Sequence, residues 1–166
     1  MKRWVFFAAM LLLVTFPAFA VAQRKAITDD AGAASARKAI EALNWKETDA
    51  CQKMDNAESA SLWADDGVDL IQGLPPMVGK AKISAWYKTL APQLRGPKVE
   101  SCTIEWRETR IQDKWAWEWG ISRQKVDFPP PRKPFESVGK ILLILKQQAD
   151  GTWKIELESW NSNPRG

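Results

Sequence analysis

Glu47 interrupts an otherwise apolar stripe. Ala36, Ile40, Leu43, Ala50, Cys51 and Met54 recur at spacings of three and four, the repeat of one helix face. Glu47 falls where that face calls for a core residue. A carboxyl group carried inward there loses water, which raises its pKa and suits it to proton transfer near neutral pH. The plainer alternative is a slightly rotated helix in which Glu47 pairs with a lysine or arginine at the rim. Two other groups are candidates to act with it. Glu118 lies in the alternating run Trp115-Ala116-Trp117-Glu118-Trp119-Gly120, on the face opposite the three indoles. It is either a second pocket acid or an ion-pair partner at an interface. Tyr87 is the only tyrosine, so a phenol donor in any site must be this one.

No histidine occurs among the 166 residues. That excludes Ser-His-Asp and Cys-His mechanisms, His-ligated zinc and a histidine proton shuttle. Acid–base chemistry falls to Asp, Glu, Tyr or Lys. Asp65-Asp66 reads as a helix-ending loop, and two adjacent carboxylates do not make a metal site. No metal and no cofactor is expected. Aromatic side chains are plentiful, with ten tryptophans. Trp63, Trp86 and Tyr87 fit a helical core, and Trp45 offers aromatic bulk from a shifted register beside Glu47. With Trp117 and Trp160 they form the expected pocket lining. Alternation puts Trp115, Trp117 and Trp119 on one face without saying which; burial in the core or in a seam between subunits is the expectation.

These residues need a scaffold that brings helices onto a sheet. Asp55 and Asn56 break the first helix and cap a second through Ala57, Ala60, Leu62 and Trp63. Residues 68–71 read as a short strand, and Gly79-Lys80 opens a third helix with Ile83, Trp86 and Tyr87 inward. Four strands follow, at residues 98–110, 114–127, 135–147 and 152–160. Leu142, Leu143, Ile144 and Leu145 are apolar without a gap, which predicts cover on both faces. The last strand alternates, with Trp153, Ile155 and Leu157 on one side and Lys154, Glu156 and Glu158 on the other. Asp150-Gly151 between the two is a hairpin signal. Helices first and a long antiparallel meander second is an α+β order.

The first 22 residues read as a secretory signal peptide. Lys2 and Arg3 precede an apolar stretch too short to span a bilayer, and Ala18-Phe19-Ala20 and Ala20-Val21-Ala22 offer cleavage after Ala20 or Ala22. Export to the periplasm or medium, with no later membrane span, is the expected fate. Residues 23–35 are a polar, flexible lead-in, and residues 36–164 form one domain. Removing Lys2 and Arg3 lowers the net charge from +4 to about +2, and no basic block remains, so nucleic acid is not an expected partner. Cys51 on a helix and Cys102 on a strand both point toward apolar packing in an oxidising compartment, which suits a disulfide.

The segment Leu62-Trp63-Ala64-Asp65-Asp66-Gly67-Val68, with Pro75-Pro76, Gly79-Lys80 and Ile83, resembles the front half of the SnoaL-like, nuclear-transport-factor-2-like superfamily. Residues 113–120, Gly139-Lys140, Gln148-Ala149-Asp150-Gly151-Thr152-Trp153-Lys154-Ile155 and Trp160-Asn161-Ser162 resemble its later strands and closing hairpin. The resemblance implies a cone: a curved antiparallel sheet wrapped around three N-terminal helices, with an apolar pocket at the wide end and a homodimer through the convex face. It also implies either binding of a small apolar or aromatic molecule without chemistry, or isomerase, dehydratase or cyclase activity. The second would use Glu47 as base with Tyr87 or Glu118 holding the substrate oxygen. Enzymes of this group often use a pocket histidine, and this chain has none.

Overall fold

The computed structural model describes residues 30–93 and 98–163. The expected signal peptide lies outside the described residues. Helix α1 spans Asp30–Lys53, so it starts six residues before the apolar repeat and takes in half of the expected lead-in. Met54 at φ 56° ends it, and the Asp55 side chain accepts hydrogen bonds from the amides of Ala57 and Glu58, capping α2, Asn56–Ser61. Strand β1 is Trp63–Ile71, β2 is Met77–Val78, and α3 is Lys80–Gln93. The long strands are β3 Lys98–Gln112, β4 Trp115–Asp127, β5 Phe135–Gln147 and β6 Trp153–Ser162.

One curved, unclosed sheet has the order β2-β1-β6-β5-β4-β3. Its pairs are antiparallel except β1 with β6, which run parallel. That pair explains why the second helix stops short of Leu62 and Trp63. Trp63 sits opposite Ile155, and the Ile155 amide donates to the Leu62 carbonyl at 2.9 Å, a long-range pairing that overrides the local helical pattern.

The helices fill the concave side. Ile40 and Leu43 of α1 and Ile83 of α3 pack on Leu143, Leu145 and Ile155 of the sheet, all buried. Cys51 and Cys102 form a disulfide between α1 and β3, with Cα atoms 6.1 Å apart. Next to it, Gln52 gives its Nε2 to the Val99 carbonyl at 2.9 Å and accepts the Cys102 amide at 2.9 Å. This side-chain amide does for the edge strand what a neighbouring strand would do.

The apolar run of β5 is not covered on both faces. Leu143 and Leu145 are fully buried, while Leu142 is exposed on the convex side and Ile144 is half-buried. The strand therefore alternates in burial although its composition does not.

Candidate functional site

The three helices and the strands β1 and β3–β6 surround a cavity of about 400 Å³, within the ~300–1,000 Å³ typical of small-molecule sites. Helix α1 contributes Glu47, which shares its inward stripe with Leu43 and Ala50. Strand β1 contributes Asp69, α3 contributes Trp86 and Tyr87, and β6 contributes Glu158 and Trp160. Trp63 and Ile155 lie at the floor, and the Cys51–Cys102 disulfide forms part of the wall.

Glu158 arrives there through a bulge. Ile144 pairs with Leu157 and Leu145 with Ile155, so Glu156 has no partner on β5 and the alternation of β6 reverses after it. Trp153 and Ile155 point inward before the bulge; Glu158 and Trp160 do so after it, and Leu157 turns outward. The same register sets Asp69 directly beside Glu158 on the neighbouring parallel strand. Two carboxyl groups thus stand side by side on the inner face of the sheet, a placement in which both cannot readily ionise.

Burial sets the electrostatics. Loss of water raises Glu47 to about 8, and the charge of Glu118 adds to the rise. Desolvation lifts Asp69 to about 6. Glu158 is pushed well above the usual carboxyl range by burial first, then by Glu47 and Asp69. Tyr87 is raised by burial and by Glu158, against a hydrogen bond with Trp63 that pulls it back. Asp69 is therefore the acid of the cavity that ionises more readily than Glu47, while burial favours the protonated forms of Glu47, Glu158 and Tyr87. Its polar groups are also under-satisfied: Oδ1 of Asp69, a residue only 1% exposed, and Oε2 of Glu47 have no hydrogen-bond partner among the described residues. No lysine or arginine is among the described lining residues.

Of the residues expected from sequence, Glu47, Trp63, Trp86, Tyr87 and Trp160 line this cavity. Three expectations are corrected. Trp45 is 76% exposed, because two residues of helix rotate it to the far side from Glu47. Trp117 faces outward with Trp115 and Trp119, on the convex sheet surface, and takes no part in the pocket. Glu118 faces inward but lies behind the cavity wall. It is fully buried, and its Oε2 accepts from Asn44 Nδ2 at 3.2 Å and Thr109 Oγ1 at 2.9 Å, while Oε1 has no partner. It acts on Glu47 through its charge.

Asp69 and Glu158 were not singled out from sequence. Asp69 is the lone charge within residues 68–71, and that interruption was a usable signal. Glu158 had none, since unbroken alternation assigns it to the outer face.

No family model matches this chain, and no curated protein matches it. Solved structures do. A ketosteroid isomerase-like protein from Erwinia carotovora atroseptica superposes with a TM-score of 0.66 at 19% identity, over 77% of this chain and 96% of that one. A candidate dehydratase of the NTF2-like family from Streptomyces avermitilis gives 0.65 at 13% identity, over 80% and 99%. A domain of unknown function with a cystatin-like fold from Nostoc punctiforme gives 0.62 at 16%, over 79% of each chain. The fold is that of the NTF2-like, cystatin-like proteins, as the sequence motifs implied.

Proposed function

We propose that this protein is exported and binds a small, largely apolar or aromatic molecule in the concave cavity. The observation that carries this reading is the cavity itself: about 400 Å³, walled mainly by indoles and aliphatic side chains, with a few polar groups converging on it. The disulfide fits an oxidising compartment, and no described helix is long and apolar enough to cross a membrane. The exposed Trp115, Trp117 and Trp119, with Leu142 on the next strand, make the convex face the seam of a homodimer. A thermal-shift screen of small aromatic and aliphatic compounds, followed by calorimetry, tests the binding. Saturable one-to-one binding that is lost in Trp86→Asp supports it; no compound shifting the melting temperature overturns it.

A second reading is proton-transfer catalysis of isomerase or dehydratase type, favoured by the Asp69–Glu158 juxtaposition. Neighbouring acids held at different protonation states supply both a base and a donor. The roles then differ from the sequence expectation: Glu47, protonated at neutral pH, donates, and Asp69 abstracts. Turnover of a bound compound, abolished by Asp69→Asn with binding retained, would replace the binding-only reading with this one.

A further inference from the structure

Among the described residues, the acids of the cavity face no protein counter-charge. Asp69 and Glu158 are lateral neighbours on β1 and β6, Glu47 reaches in from α1, and none of the described lining residues is basic. Nor are these groups a metal cage, for no three described carboxyl or thiol groups converge closely enough to hold a metal ion. What surrounds them is aromatic: Trp63, Trp86, Tyr87, Phe135 and Trp160 line the same space, with the Trp86 and Tyr87 rings 5.2 Å apart and inclined at 51°. Carboxylates set among aromatic faces are the surroundings that a weakly hydrated organic cation seeks, since ring quadrupoles and acids both attract it.

Resting on the small-molecule reading above, we propose that the ligand is an organic cation, a tertiary or quaternary ammonium with an apolar or aromatic body. The ammonium sits against Asp69 and Glu158 within reach of Glu47, and the body fills the aromatic remainder of the cavity. A neutral apolar ligand would leave the Asp69 and Glu47 oxygens unpartnered, and an anion would meet like charge. Metal-sized ions are too small to span the groups. A bulky ammonium satisfies the acids without requiring directional hydrogen bonds.

A pH dependence follows. The groups facing the bound charge are Asp69 from β1, Glu158 from β6, Glu47 from α1 and Tyr87 from α3, with Glu118 of β4 behind Glu47; all are acidic. A cation stabilises their ionised forms, so binding expels protons and tightens as pH rises.

Titration calorimetry of the mature chain with three probes tests the proposal: benzyltrimethylammonium, its neutral isostere neopentylbenzene, and the anion 3-phenylpropionate. The cation should bind at least tenfold more tightly than the neutral probe. Its affinity should rise between pH 5 and pH 8, and its binding heat should vary with the ionisation enthalpy of the buffer. Asp69→Asn and Glu158→Gln should each weaken the cation about tenfold and leave the neutral probe unchanged; Glu158→Gln serves if Asp69→Asn does not fold. Equal or tighter binding of the neutral probe or the anion overturns the cation assignment while the small-molecule reading stands. Failure of all three to bind a folded protein overturns both.

Discussion

Inside the curve of β4, Ala116, Glu118 and Gly120 lie against helix α1 and strand β3; outside, Trp115, Trp117 and Trp119 stand 38–46% exposed. Arg110 lies 5.7 Å from the centre of the Trp117 ring and Lys146 lies 4.9 Å from that of Trp115, while the Trp119 indole donates to Glu108 at 3.4 Å. One strand thus hides a carboxyl group and displays its indoles, the reverse of what composition suggests. Geometry supplies the reason. At Gly120 a Cβ would come within 2.7 Å of the Glu105 carbonyl oxygen on β3, so that inward position takes no side chain. The three rings of β4 stand on the convex side, where flanking cations and a carboxylate hold them. The inner face of this sheet borders the cavity, and the outer face displays the indoles on which the proposed dimer rests.

Removing the disulfide strikes the inner face hardest. The bond closes a separation of 51 residues and fixes the wall formed by α1 and β3. Paired Cys51→Ser and Cys102→Ser replacements should cost about 4 kcal/mol on the chain-entropy model, read as a lowered denaturant midpoint. The change should also abolish ligand binding before it affects the outer face.

Titration of the inner face gives the next effect. Glu47 is raised to about 8 and Asp69 to about 6, so between the ordinary carboxyl range and those values the folded state holds protons that the unfolded chain has lost. Stability is therefore greatest in mild acid and falls as pH climbs through about 8. Glu47→Gln should flatten this decline and, at pH 9, stabilise the protein by on the order of 3 kcal/mol. Melting temperatures from pH 5 to pH 9 read it directly. A profile that rises with pH would show these acids to be paired rather than merely buried.

On the outer face the stability effect should be smallest. Trp117→Lys removes a half-exposed ring and should change monomer stability by no more than about 0.5 kcal/mol. Sedimentation should nevertheless show the proposed dimer dissociating. A loss of fold instead of association would mean that the convex tryptophans serve the core.

The four long strands, to within two residues at their ends, and the Asp150-Gly151 turn were legible because each depends on local pattern, whereas for Glu47 the pattern left an inward carboxyl and a rim ion pair both open. Asp150 makes the hairpin turn itself, its Oδ1 accepting from the Thr152 amide at 2.9 Å and hydroxyl at 2.7 Å. What resisted reading depends on distant chain. Trp63 becomes strand because Ile155, distant in the chain, lies beside it. The three indoles of β4 point outward because α1 occupies the other side, and alternation carries no information about which face that is. Glu158 enters the cavity because Glu156 is squeezed out of register, an event with no compositional mark.

The unpaired position at Glu156 makes the chemistry of the chamber a matter of register. Excising Glu156 would leave a regular ladder with Leu157 still outward and Glu158 still inward, whereas drawing Glu156 into the ladder opposite Ile144 would turn Leu157 inward and send Glu158 to the solvent side. A one-residue slip after Ile155 would thus exchange an acid for a hydrocarbon at the heart of the chamber with no substitution in the sequence.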